Sequence, residues 1–147
     1  MSRLRRLASS FALLALAPLA SAEQFATFGD YDVHYNAFRA DFLPPEVATQ
    51  HGLTRSRDRG LLNITVLRHT EAGATAPSEA ALAVTVTSRE AGAQVVRMRP
   101  VVEDGTLNYL GEFRLQRTDT YRFEIEVTPA GTARAYRIVF SQTLLDD

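Results

Sequence analysis

Cysteine is absent from this sequence, and so is lysine; the 16 basic residues are all arginine. Without cysteine there is no disulfide, no thiolate zinc site, no Fe–S cluster and no thiol nucleophile. Such a chain holds its fold by packing alone, even in an oxidising compartment where disulfides form. The exclusive use of arginine reads as a compositional bias of the source genome, not as a binding signal. No apolar run suits a membrane span: the stretch at residues 11–19 falls well short of the roughly 20 apolar residues a spanning helix needs. Catalytic signatures are also missing. There is no G-x-S-x-G elbow, no H-E-x-x-H, no phosphate-cradling glycine loop and no nucleotide fingerprint. No internal repeat and no extended low-complexity segment interrupts the chain.

What is present begins with an address. Arg3, Arg5 and Arg6 form a positive region, residues 11–19 are apolar, and Ala20-Ser21-Ala22 is a small-x-small cleavage site. This is the anatomy of a secretory signal peptide spanning 1–22 and cleaved after Ala22. No cysteine follows the cleavage site, so a bacterial lipid anchor is excluded. The remainder, 23–147, has the size of one ordinary domain and can bury roughly 65% of its unfolded surface. The whole chain carries a formal charge of −1, and removing the three signal arginines makes the mature chain mildly acidic. That makes it a poor candidate for nucleic acid or anionic membrane surfaces.

The mature chain opens with a short lead-in, residues 23–29, anchored by Phe25 and Phe28. Alternation follows: Tyr31, Val33, Tyr35 and Ala37 on one face, Asp30, Asp32, His34 and Asn36 on the other. A period of two marks a half-buried strand with its aromatic face inward. Pro44-Pro45-Glu46 starts a helix of about two turns, near residues 45–51, because proline suits the first turn and an acid there complements the dipole. Gly52 supplies the left-handed stop. The helix is expected over one end or edge of the sheets. Residues 53–59 form an arginine-rich connector.

A second strand sets Leu62, Ile64 and Val66 against Asn63 and Thr65. Residues 71–79 read as a Gly/Pro/Ala loop. Leu82, Val84 and Val86 mark another strand, and Gly92 the hairpin after it. Val96 and Met98 alternate with Arg97 and Arg99 until Pro100, which places that strand at an edge or a bulge. Asp104-Gly105 is a strong turn signal. Leu107, Tyr109, Phe113 and Leu115 share a face with Gly111, which implies close approach or a bulge there. Tyr121, Phe123, Ile125 and Val127 oppose Arg122, Glu124 and Glu126, and Tyr136, Ile138, Phe140 and Leu144 complete the core.

The sum is an all-β, immunoglobulin-like sandwich of about seven antiparallel strands with one short helix. Asp119-Thr120-Tyr121 favours the immunoglobulin-like form. A D-x-Y sequence opening the penultimate strand is where such folds place a tyrosine whose hydroxyl ties back to nearby backbone. The plainer alternative makes Tyr121 an ordinary core aromatic.

Four segments carry a resemblance: Tyr31-Asp32-Val33-His34-Tyr35-Asn36-Ala37-Phe38, Phe42-Leu43-Pro44-Pro45-Glu46-Val47-Ala48, Thr54-Arg55-Ser56-Arg57 and Asn63-Ile64-Thr65-Val66. Together with Leu107-Asn108-Tyr109-Leu110-Gly111-Glu112-Phe113, they resemble the family catalogued as domain of unknown function 4426, exported proteins of Gram-negative bacteria. The similarity extends over the mature chain. It implies a periplasmic location and one domain, and it transfers no activity or catalytic residue.

Two patches are candidates for function. On the polar stripe, residues two apart lie roughly 6.5–7 Å from each other, so Asp32 and His34 share a metal only if another element adds a donor. His51 or His69 is such a donor, and Met98 suits copper because soft thioether and imidazole ligands favour that metal. The candidate metal set is therefore Asp32, His34, His51 and Met98, against the plainer reading of a solvated strand face with no H-x-H pair and no methionine cluster. The second patch is Arg55, Arg57 and Arg59, whose planar forks suit an anion; the plainer reading pairs them with nearby acids. Asn36 and Asn63 read more naturally as fold determinants bonding backbone at a bulge or loop. A Ser-His-Asp set assembled from Ser56, His51 and Asp58 lacks any supporting motif. The expectation is a periplasmic interaction or accessory module, not an enzyme, without cofactor. It binds an envelope protein or peptide through His34, Asn36, Arg55, Arg57 and Arg59. A copper, zinc or small-ligand carrier using the His34 face is the alternative.

Overall fold

The computed structural model describes residues 24–145; the expected signal peptide, 1–22, lies outside them. The elements in chain order are β1 (Gln24–Phe28), β2 (Tyr31–Arg39), a 3₁₀ turn (Ala40–Phe42), α1 (Pro45–Gln50), β3 (Arg59–His69) and β4 (Thr75–Pro77). They continue with β5 (Ala80–Ser88), β6 (Gly92–Val96), β7 (Met98–Glu103), β8 (Thr106–Arg114), β9 (Asp119–Pro129) and β10 (Tyr136–Leu144). Two antiparallel sheets result. One runs β1-β2-β3-β8-β7, with β4 paired to the end of β3, and the other runs β10-β9-β5-β6. The architecture is a β-sandwich.

The described residues hold ten strands, where the sequence pattern shows about seven. The lead-in is β1, paired to β2 from Gln24↔Tyr35 to Phe28↔Tyr31. The 71–79 loop contains β4, held on β3 by Leu67↔Pro77 and His69↔Thr75. Both are too short for alternation to register. The run 96–99 is not one strand either. β6 pairs with β5, and after Arg97 the chain crosses to the other sheet, where β7 pairs with β8. Pro100 lies in β7, at the edge of its sheet, where a missing N–H costs no ladder bond.

The inner faces are those the alternation marks. Val33, Ala37, Leu62, Ile64 and Val66 meet Val84, Val86, Phe123, Ile125 and Val127 in one buried core. Phe123 is its centre: its ring stacks on Phe140 at 4.6 Å and meets Phe113 edge-on at 5.3 Å. Two glycines permit close approach. A side chain at Gly60 would enter the Phe113 ring, its cross-strand neighbour, and one at Gly111 would collide with Met98 and Val96. Tyr121 is fully buried, and its hydroxyl accepts the Gln116 N–H at 2.8 Å. Asp119 sits beside it, its carboxylate accepting the Thr120 N–H at 2.7 Å. Burial pushes the Tyr121 phenol up from its ordinary range, so the hydroxyl stays protonated and also donates to the Gln116 carbonyl at 3.4 Å.

α1 begins with Pro45, carries Glu46 in its first turn and is followed by Gly52 at φ +62°. Six residues make no stable helix alone. It is held because Ala48 and Leu53 are buried against Leu61, with Phe38, Leu43 and Leu110 packed around them. These strand residues point away from the main core. α1 therefore roofs the outer face of the six-stranded sheet, rather than capping an end or edge of the sandwich.

Candidate functional site

The outer face of the six-stranded sheet is assembled by register. β2 pairs with β3 without a break from Tyr31↔Arg68 to Arg39↔Gly60, placing His34 opposite Thr65 and Asn36 opposite Asn63. β8 continues these rows, with Leu110 opposite Asn63, and β7 closes them, with Val101 opposite Asn108 and Glu103 opposite Thr106. The polar stripe of β2 thus extends across the sheet through Asn63, Thr65 and Asn108. The Thr65 hydroxyl donates to Asn108 Oδ1 at 2.6 Å.

One end of this face lies under α1. Between helix and sheet is a cavity of about 140 Å³, walled by Phe38, Leu43, Val47, Leu61 and Leu110, with His51, Asn63, Glu103 and Asn108 among its lining residues. His51 is the C-terminal cap of α1, and its side chain is only 10% exposed. Its Nε2 lies 3.4 Å from Glu103 Oε2, yet the two make no hydrogen bond, and Nε2 has no other partner in the protein. Asn63 Oδ1 is likewise buried and unpartnered. Asn63 lies in a β2–β3 register without a bulge, and its carbonyl oxygen has no hydrogen-bond partner in the protein. An unmet buried polar atom costs about 1–3 kcal/mol. Two in one small cavity, among the described residues, are a feature packing alone does not explain.

The metal candidates are not brought together. His34 stacks on Phe25 at 5.2 Å, beside edge strand β1. His51 lies with Glu103 of β7, the opposite edge. Met98 packs on the inner face against Gly111, because its register opposite Gly111 turns it toward the core. Asp32 does find an imidazole, His69, at 2.8 Å between Oδ2 and Nε2, and it accepts the Thr27 hydroxyl at 2.7 Å. The His69 hydrogen bond, then that of Thr27, holds the Asp32 carboxyl below its ordinary range. Among the described residues no group of three or more His, Asp or Glu side chains is arranged to hold a metal.

The arginines do not share a face. Arg55 donates to the Asp41 carbonyl at 3.0 Å, and Arg57 pairs with the Asp41 carboxylate at 3.9 Å. Arg59 pairs with Glu112 of β8 at 2.8 Å. Asp41 is the hub because the buried Arg39, invisible to the sequence reading, grips it through Nε at 3.0 Å and Nη2 at 2.6 Å. The Ser56 hydroxyl is used locally, accepting the Asp58 N–H at 3.1 Å. A larger depression of about 450 Å³, lined by Asp58, Glu90, Arg114 and Arg117 among others, contains neither unpartnered atom. The residues missed by sequence are Asn108, Glu103 and Arg39. Their strands were legible, but their convergence depends on pairing between distant segments.

The family model for a domain of unknown function, DUF4426, matches residues 25–147. The chain belongs to the DUF4426 family. A DUF4426 family protein of Pseudomonas aeruginosa PAO1 has 32% sequence identity and a TM-score of 0.72, over 85% of this chain and 96% of that one. Two solved structures of FetP from uropathogenic Escherichia coli strain F11 share the fold. The as-isolated protein, produced in the periplasm of an E. coli host, has 11% identity and a TM-score of 0.58, over 84% of this chain and 94% of its own. A copper-bound glutamate-to-glutamine variant has 10% identity and a TM-score of 0.57, over 83% and 94%. Among curated proteins none matches the sequence. Among the described residues of this DUF4426 protein, no helix is long and apolar enough to cross a membrane.

Proposed function

We propose that the protein is a non-catalytic binding module of the periplasm, and that it binds through the outer face of the six-stranded sheet at the α1 cavity. The observation that carries this is the pair of buried, unpartnered atoms, His51 Nε2 and Asn63 Oδ1, lining one apolar-walled cavity. A few polar groups set in apolar walls are the usual make-up of a ligand site. The occupant is a small molecule, or a side chain presented by an envelope protein or peptide. The signal-like N-terminus and the likeness to a protein produced in the periplasm support the location, and the Tyr121 corner supports an immunoglobulin-like sandwich.

The test is titration of the ¹⁵N-labelled mature chain with small neutral, anionic and cationic fragments. Amide shifts are expected at Val47, His51, Asn63 and Glu103 and not at Ser88 or Val139 on the other sheet, and Val47→Phe, which fills the cavity, should abolish them. If no fragment class moves the cavity amides, the reading fails.

A second reading, a copper or zinc carrier, is favoured by the Asp32–His69 pair with His34 two residues along β2, and by the copper-bound FetP relative in fold. His34 becomes the third donor only if its stack on Phe25 opens. Copper or zinc should then raise the melting temperature, and His34→Ala should remove the gain. An unchanged melting temperature with either metal would dispose of it.

A further inference from the structure

The chemistry of the cavity restricts what it takes. Glu103 offers a carboxylate and Asn63 a carbonyl oxygen, both of which only accept hydrogen bonds, and His51 Nε2 stands beside them without a hydrogen-bond partner. Apart from His51, no basic side chain lines the cavity. The Arg99 guanidinium donates to the His51 backbone carbonyl. An anion entering here would meet the Glu103 carboxylate and no lining arginine. A neutral alcohol brings one donor to these acceptors. A primary ammonium brings three N–H donors and a positive charge.

The geometry agrees. His51 Nε2 and Glu103 Oε2 stand 3.4 Å apart without a mutual hydrogen bond, so an ammonium nitrogen sits to one side of the pair, about 2.8 Å from Glu103 Oε2. The volume of about 140 Å³ equals that of about five liquid waters, enough for a short branched aliphatic body against Leu43, Val47, Leu61 and Leu110. Glu103 is 46% exposed, so its carboxylate is reached from solvent.

We infer that the cavity under α1 binds a primary ammonium carried on a short branched aliphatic chain, recognised by the Glu103 carboxylate and the Asn63 carbonyl oxygen. This rests on the binding reading above and adds the class of ligand.

The probes are three molecules of nearly one shape: isopentylammonium, isopentanol and isovalerate, titrated into the mature chain and followed by amide shifts. Isopentylammonium should bind about tenfold more tightly than isopentanol, as one charge-assisted hydrogen bond implies. Isovalerate should not bind. Glu103→Gln should lower isopentylammonium affinity about tenfold and leave isopentanol unchanged, a selectivity that a folding defect does not produce. If isopentanol or isovalerate binds as tightly as isopentylammonium, the ammonium inference is overturned while the cavity remains a binding site. If zinc displaces isopentylammonium and shifts the His51 ring resonances, the site is a metal site instead. If none of the probes moves the cavity amides although other fragments do, the inference alone falls; if nothing does, both readings fall.

Discussion

Asp41→Ala is expected to lower the unfolding free energy by about 3 kcal/mol, read as the denaturant midpoint in urea at neutral pH. Arg39 is 4% exposed and its partner Asp41 24%. Removing the carboxylate takes a two-bond counter-charge from a buried guanidinium, a loss of about 3–5 kcal/mol in fully buried pairs; the part-exposure of Asp41 sets the low end. Arg39 keeps its bond from Nη1 to the Leu145 carbonyl at 2.7 Å. The variant also removes the Asp41 carboxylate from Arg57, while Arg55 keeps its bond to the residue 41 backbone carbonyl.

The pH dependence has a definite sign. The hydrogen bonds from Arg39, more than its charge, hold the Asp41 carboxyl below the ordinary value of 3.8. A carboxyl whose folded pKa is depressed contributes stability in full above its unfolded pKa and loses it as pH falls through the folded pKa. The difference between wild type and Asp41→Ala should therefore be constant from neutral pH to about 5 and shrink below about 4. A difference that grows on acidification would show that the pair does not stabilise the fold.

Phe123→Ala should be at least as costly, about 3–5 kcal/mol, enough to leave much of the chain unfolded at 37 °C. Phe123 is fully buried on β9 and touches aromatic rings from both sheets: Phe140 in its own sheet and Phe113 across the sandwich. Those rings hold their positions through backbone pairing, so the space left by the phenyl group closes only in part. Val139→Ala, on exposed ground of the same sheet, is the control and should change stability by less than about 0.5 kcal/mol. Thermal or urea unfolding of both separates them, and equal small losses would contradict a core centred on Phe123.

The chain's local grammar carried much of this structure. Alternation along residues 31–37 and 121–127 is enough to assign strands and inward faces, because a pleated strand turns every second side chain the same way. Pro45 and Gly52 bound α1 for reasons within one or two turns of chain, and Pro100 marks an edge because it lacks an N–H. A buried Tyr121 bonded to Gln116 also follows a local pattern, its ends five positions apart.

The candidate site does not have that character. His51, Asn63, Glu103 and Asn108 come from α1, β3, β7 and β8, and only cross-strand register and the docking of α1 bring them to one cavity. The crossing from one sheet to the other at Arg97 is equally non-local: alternation continues through it, and only the pairing partners change. The same holds for the arginines. Spacing puts 55, 57 and 59 on one side of an extended segment, but the segment is not extended, and Asp41 and Glu112 divide them. By itself the sequence determined most of the longer strands, their inward faces and where the helix begins and ends. The tertiary structure alone decided which face the helix covers and which polar atoms it leaves without a partner there, because both depend on contacts between segments far apart in the chain.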